Sequence, residues 1–179
     1  MIGSDTIPVA DLDVADAAEA RAELRPCCAS QTWLAAMVAG RPYRTLDALS
    51  SAADRALEAL AWPDVEEALA AHPRIGERAP AAEAGDREGT GGREAAWSRQ
   101  EQSAAATTDP STAGELVAGN HAYERRFGHV FLIRASGRSG EEMLAHLQER
   151  LGHDPVTEQH VVRRELAEIV RTRLAKAFG

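Results

Sequence analysis

Three side chains, remote from one another in the chain, have the types and settings that proton chemistry on a small polar molecule requires. His72 stands directly before Pro73 in Ala71-His72-Pro73-Arg74-Ile75-Gly76-Glu77-Arg78. An imidazole changes charge near neutral pH and can both accept and deliver a proton there. The residue before a proline is pushed out of the helical region, so His72 sits at a helix exit with a restricted backbone. Glu101 follows Trp97 by four residues in Trp97-Ser98-Arg99-Gln100-Glu101-Gln102. On a helix, Trp97, Glu101, Ala104 and Ala105 share a face that Ser98 and Gln102 overlap. A carboxylate beside tryptophan and alanines is poorly solvated, so it needs partners or a raised pKa. Arg173 falls on the stripe formed by Leu166, Ile169, Val170 and Ala177. An arginine there needs a carboxylate of the protein or an anionic ligand. Each of the three also has a purely structural reading. His72 can serve as a helix-end residue, Glu101 can pair with a nearby arginine on a partly exposed face, and Arg173 can snorkel to solvent. From the residues alone both readings stand.

Other chemistries find less support. The remaining histidines are His121, His129, His146, His153 and His160, and none forms a His-Glu-x-x-His pattern or pairs with cysteines at zinc spacing. No metal is expected. There is no Gly-x-Ser-x-Gly elbow and no dinucleotide fingerprint, and the glycines of 89–92 have no preceding strand and no P-loop lysine.

The elements that would position these residues are helical. Residues 1–7 read as frayed, and Asp11 to Leu24 as one short helix with Leu12, Ala15 and Glu19 at helical spacing. Pro26 interrupts. Ser30 is an N-cap for Gln31 to Ala39, which presents Trp33, Leu34, Met37 and Val38. Gly40 ends that helix and Arg41-Pro42-Tyr43 turns the chain. Thr45 caps a longer helix to about Ala61, with Leu46, Leu49, Ala53, Leu57 and Leu60 as its apolar stripe. Trp62-Pro63 breaks it and starts a short helix whose Val65, Ala68 and Leu69 face inward, finishing near Ala71. Residues 78–92 hold four glycines and no large apolar residue, and are expected to be a mobile loop. Glu94 to about Ala106 returns to helix. Asp109-Pro110-Ser111 opens another that runs to Phe127, with Leu116, Val117, Asn120 and Tyr123 on one side. Phe127 to Ile133 is the one stretch able to be a strand, and is read as a buried extended segment or short helical turn. Ser139 caps a helix to Leu151, and the last helix runs from Pro155 to Ala177. The expected fold is all-α, one domain over 1–179 of about eight helices with essentially no sheet.

Composition agrees. The 179 residues are enough for a real core. Abundant alanine and 4% aromatics favour helix over sheet. A net charge of −8 argues against nucleic-acid binding, though a few local arginines suffice for a small anion. No apolar run approaches the ~20 residues that span a bilayer, and Met1 to Thr6 does not read as a secretory signal. Cys27 and Cys28 are adjacent, so no disulfide framework is available and buried thiols are expected. A cytoplasmic location follows as the expectation.

With these residues in view, the sequence resembles the 2-oxo-4-hydroxy-4-carboxy-5-ureidoimidazoline (OHCU) decarboxylases, over Leu24 to Leu174. The marks are Trp33, Arg41-Pro42-Tyr43, Ala71-His72-Pro73-Arg74-Ile75-Gly76-Glu77 and Ser98-Arg99-Gln100-Glu101-Gln102. Further along come Asn120-His121-Ala122-Tyr123, Phe127-Gly128, Phe131-Leu132-Ile133, Arg150-Leu151 and Arg171-Thr172-Arg173-Leu174. Each is short, but together and in order they are specific. The resemblance implies an all-helical homodimer that works without metal or organic cofactor. It implies decarboxylation of OHCU to (S)-allantoin in urate degradation, with His72 and Glu101 catalytic. It further implies Pro73, Ser98, Gln102, Phe131, Ile133 and Arg173 as substrate-binding positions, Phe131 and Ile133 through their backbone. Departures exist. Many relatives read Phe-Gly-Phe-Pro-Phe where this chain has Phe127-Gly128-His129-Val130-Phe131. Gly152-His153 replaces an asparagine after Arg-Leu, and the 78–92 loop is longer than expected. The first of these touches the pocket wall, and none removes a candidate catalytic group. Two other classes stay open at this point: a helical binding or regulatory module without catalysis, and a metal-dependent hydrolase using His72 with Glu101 or Asp64.

Overall fold

Local capping chemistry sets where the helices start in the computed structural model, which describes residues 6–76, 96, 97, 100, 101 and 109–179. Eight helices are delimited among them: α1 Val9–Val14, α2 Ala17–Leu24, α3 Gln31–Ala39, α4 Leu46–Glu58, α5 Trp62–Ala70, α6 Pro110–Phe127, α7 Gly140–Arg150 and α8 Pro155–Phe178. The described residues contain no strand. Ser30, Thr45, Asp109 and Ser139 each accept a backbone N–H of the first turn they precede, which satisfies donors that have no partner inside the helix. Ser139 also forms a reciprocal capping box with Glu142.

One expectation needs correction. Asp11 to Leu24 is not a single helix but α1 and α2, parted at Ala15-Asp16. The Asp16 carboxylate accepts from Ala18 N at 2.8 Å and Glu19 N at 2.9 Å, and the Glu19 side chain returns to Asp16 N. That capping box starts a new helix where apolar spacing alone reads through. The other described bounds follow the sequence to within a few residues, α4 stopping at Glu58 rather than near Ala61, and the ends of the helix expected from Glu94 to about Ala106 lie outside the described residues.

The chain divides into two compact units. The first comprises 1–68 and 167–179, the second 69–166. In the first, α1 to α4 pack in succession. Trp33, wholly buried, donates its indole N–H to Ala53 O at 3.3 Å and so ties α3 to α4. Arg41 Nη1 donates to Leu12 O and Ala15 O at 2.7 Å each, closing the exposed carbonyl end of α1. The Asp13 carboxylate accepts from Tyr43 N and Arg44 N, both at 2.7 Å. Cys27 and Cys28 are buried thiols.

In the second unit α6 and α7 pack together. Their core is Ile75, Leu116, Tyr123, Phe131, Ile133, Ala135, Met143 and Leu147. Gly128 ends α6 with φ +82°, a left-handed conformation that glycine adopts without a Cβ clash. The chain then runs without regular structure through 130–135, with Phe131, Leu132 and Ile133 all buried. Its backbone is satisfied by side chains instead of a neighbouring strand. Leu132 O accepts from Arg150 Nη1 at 2.7 Å, and Arg134 N donates to Glu165 at 2.8 Å.

Candidate active site

His72 lies two residues beyond α5 and is half-buried. Its N–H donates to Leu69 O at 2.9 Å, closing a last turn before Pro73. The next residues are held by α6. Arg74 grips Glu124 with two parallel bonds, Nε to Oε1 at 2.5 Å and Nη2 to Oε2 at 2.8 Å. This guanidinium holds the Glu124 carboxyl below its ordinary range. Ile75 enters the core, and its carbonyl accepts from Asn120 Nδ2 at 2.7 Å. Gly76 follows with φ +79°, a conformation that keeps the exit from this turn to glycine.

Pro73 is half-buried on the same turn. Glu101 is on helical backbone and partly buried, as its place four residues after Trp97 predicts. Ser98 and Gln102 lie outside the described residues, as does the 78–92 segment. Phe131 and Ile133 are 2% and 3% exposed, and their side chains belong to the same core as Ile75. The His72 turn and the 131–133 segment are therefore two rims of one hydrophobic cluster, and what 131 and 133 have left to offer a ligand is backbone. Arg173, in the first unit, is 1% exposed on its apolar stripe and donates Nη1 to Pro26 O at 3.0 Å. A cleft of about 470 Å³, also in the first unit, is lined by Met37, Pro42, Tyr43, Arg55 and neighbouring small residues, and by none of the candidate catalytic or substrate-binding residues.

A buried charged network stands behind the 131–133 segment, and sequence reasoning missed it. Glu158 is wholly buried. Its Oε1 accepts from Arg150 Nε at 2.9 Å, from Arg150 Nη2 at 2.6 Å and from the Tyr123 hydroxyl by a short bond. Its Oε2 meets His153 Nδ1 at 2.8 Å. The Arg150 guanidinium stacks 4.6 Å from the Phe131 ring centroid and 5.7 Å from that of Tyr123. Burial, reinforced by the Glu158 bond, pushes the Tyr123 hydroxyl pKa far up. The network fixes Leu132 O directly and Phe131 by packing. A signal was available, because Glu158, Val162, Glu165, Leu166, Ile169 and Arg173 are all buried and recur at three- and four-residue steps along α8.

This is an all-helical protein with a half-buried histidine on a turn fixed against a helix, a partly buried glutamate on helical backbone and a buried arginine on the apolar stripe of another helix. Among known proteins that description has a match. The family model described as OHCU decarboxylase covers residues 13–175, and the chain belongs to that family. It is 34% identical over 158 residues to the uric acid degradation bifunctional protein TTL of Arabidopsis thaliana, spanning 88% of this chain but 47% of that protein, about half its length. It is 30% identical over 142 residues to the 2-oxo-4-hydroxy-4-carboxy-5-ureidoimidazoline decarboxylase of Amia calva, covering 78% of this chain and 76% of that one. A solved OHCU decarboxylase, crystallised in the presence of (S)-allantoin, superposes with a TM-score of 0.69 at 30% identity over 86% of this chain and 95% of that one. An (S)-allantoin synthase at 19% identity shares the fold, with a TM-score of 0.67 over 96% of this chain and 54% of that one.

Proposed function

We propose that this chain decarboxylates OHCU to (S)-allantoin in urate degradation, by acid/base catalysis without a cofactor. The family match across 13–175 is the observation that carries this reading. It also supports treating the chain as one OHCU decarboxylase domain. The substrate holds a hydroxyl and a carboxylate on one ring carbon, next to a ring carbon doubly bonded to nitrogen. The bond to the carboxylate breaks and CO2 leaves; its electron pair forms a C=C bond between the two ring carbons, and the nitrogen of the former C=N takes up a proton. A proton is then added to the neighbouring carbon from one face, and the hydroxyl gives up its proton to become the ring carbonyl. The enzyme has to hold the ring, stabilise the developing charge and deliver one proton with one handedness.

His72 is the proton-transfer group in this reading. The support is its half-buried setting and a backbone pinned on both sides. Glu101 hydrogen-bonds a ring N–H or hydroxyl and orients His72 or the substrate. Arg173 uses its planar fork on carbonyl or carboxylate oxygens. Ser98 and Gln102 complete the hydrogen bonds, Pro73 shapes the wall beside the imidazole, and backbone at Phe131 and Ile133 meets the ring. The working form is a homodimer in the cytoplasm. Buried thiols at 27 and 28 suit a reducing compartment. No helix of the described residues is long and apolar enough to cross a membrane.

Placed acid/base groups contribute about 10²- to 10⁴-fold in rate. His72→Asn and Glu101→Ala should therefore each lower turnover of OHCU by at least about 100-fold, with circular dichroism showing both folded. Undiminished turnover in both variants contradicts the role assignment.

A further inference from the structure

Helix α6 holds the His72 turn at two points, and one of them is deeply buried. We propose that Asn120 is a positioning residue for His72, acting through its bond to the Ile75 carbonyl. The proposal rests on the reading of His72 as the proton-transfer group. Asn120 is 1% exposed, and its Nδ2 donates to Ile75 O at 2.7 Å. Only Pro73 and Arg74 stand between Ile75 and His72, and the Arg74 side chain is itself held by Glu124. The Pro73 ring fixes its own φ, and His72 is restricted because a proline follows it. On the other side the His72 N–H is bonded to Leu69 O. Anchoring Ile75 O therefore restrains the turn that carries the imidazole, and proton delivery to one face requires that restraint.

A second observation separates this from ordinary packing. Asn120 Oδ1 is buried and has no hydrogen-bond partner among the described residues. An unpaired buried oxygen is costly, and an apolar side chain of similar shape would avoid that cost. What the amide supplies, and leucine could not, is the donor to Ile75 O. The Arg74 fork on Glu124, one turn further along α6, adds a second and more exposed hold.

The test uses Asn120→Ala and Asn120→Asp, beside wild type and His72→Asn, at a temperature where circular dichroism shows all four folded. In Asn120→Ala, hydrogen exchange over residues 69–76 should quicken about tenfold while α7 is unchanged, the expected effect of losing one buried hydrogen bond. The kcat for OHCU should fall at least about tenfold, with KM within about twofold, because orientation and not binding is lost. An ionised aspartate cannot donate to Ile75 O, whereas a protonated one can. The kcat of Asn120→Asp relative to wild type should therefore rise as pH falls from about 8 to about 6, since burial raises a carboxyl pKa. Unchanged exchange over 69–76 in Asn120→Ala overturns the proposal. So does faster exchange with wild-type kcat, which marks a structural bond only. An inactive His72→Asn beside a fully active Asn120→Ala sinks this proposal alone. An active His72→Asn sinks the role of His72 and the proposal with it.

Discussion

Removing the Glu158 carboxylate should destabilise the second unit more than any surface substitution. Glu158→Leu deletes the partner of Arg150 Nε and Nη2, of the Tyr123 hydroxyl and of His153 Nδ1 together. The Arg150 side chain is 4% exposed and would keep Leu132 O as a partner. Leaving one buried charge uncompensated costs about 3–5 kcal/mol. For a chain of this size each kcal/mol lowers Tm by about 2–4 °C, so the expected drop is about 6–20 °C. Arg150→Met should cost about the same, since it leaves the buried carboxylate with only Tyr123 and His153 and removes the Arg150 donor from Leu132 O. The double variant removes both charges. It should be less destabilised than the sum of the singles by about 2 kcal/mol, a coupling expected only between groups in direct contact. Urea unfolding followed by far-ultraviolet circular dichroism gives all three values. Singles costing less than about 1 kcal/mol each, or strict additivity, would refute the claim that this pair holds the 131–133 segment.

Two predictions concern pH. The chain has two tyrosines, and burial raises the pKa of both Tyr43 and Tyr123 above the ordinary 10.0. Their contribution to stability is complete below pH 10.0 and is lost as pH rises further. At pH of about 11, where a free tyrosine is about nine-tenths ionised, the folded protein should show less than half of full tyrosinate absorbance; full absorbance without unfolding would contradict the buried settings. Glu124 behaves in the opposite sense. Its carboxyl is lowered from 4.5 by Arg74, so the pair stabilises fully above that value and the contribution fades as pH falls through the depressed one. Both partners are partly exposed, so Glu124→Gln should cost about 1 kcal/mol or less at neutral pH and make the acid loss of stability shallower, as urea midpoints between about pH 3 and 7 would register.

The helix starts were readable because a cap acts over three or four residues. Ser30, Thr45, Asp109 and Ser139 each declare one. Asp16 declares one too, but the helical spacing of Leu12, Ala15 and Glu19 runs through it and the capping box with Glu19 decides the matter. The buried stripe of α8 extends by three- and four-residue steps from Arg173 back to Glu158, but an acidic residue in a first turn reads as a solvated charge until its partners are known. Of those partners, Arg150 ends α7 eight residues before Glu158 and His153 lies five residues before it, in the turn between α7 and α8, while Tyr123 lies 35 residues away on α6. The 127–133 run has the apolar composition of a strand but no strand to pair with, so Arg150 and Glu165 take its backbone instead. For the site, proline after His72 predicted the helix exit, and helical spacing predicted the partly buried Glu101. The hold of Asn120 on the Ile75 carbonyl spans 45 positions and emerges only from the fold.

The most direct measurement is circular dichroism of freshly formed OHCU, generated by oxidising urate, with and without the protein. The account predicts rapid growth of an (S)-allantoin signal with wild type. His72→Asn should give the slow, optically weak decay of the uncatalysed reaction. Decay at the same rate with and without wild-type protein, or rapid formation of racemic allantoin, would contradict it.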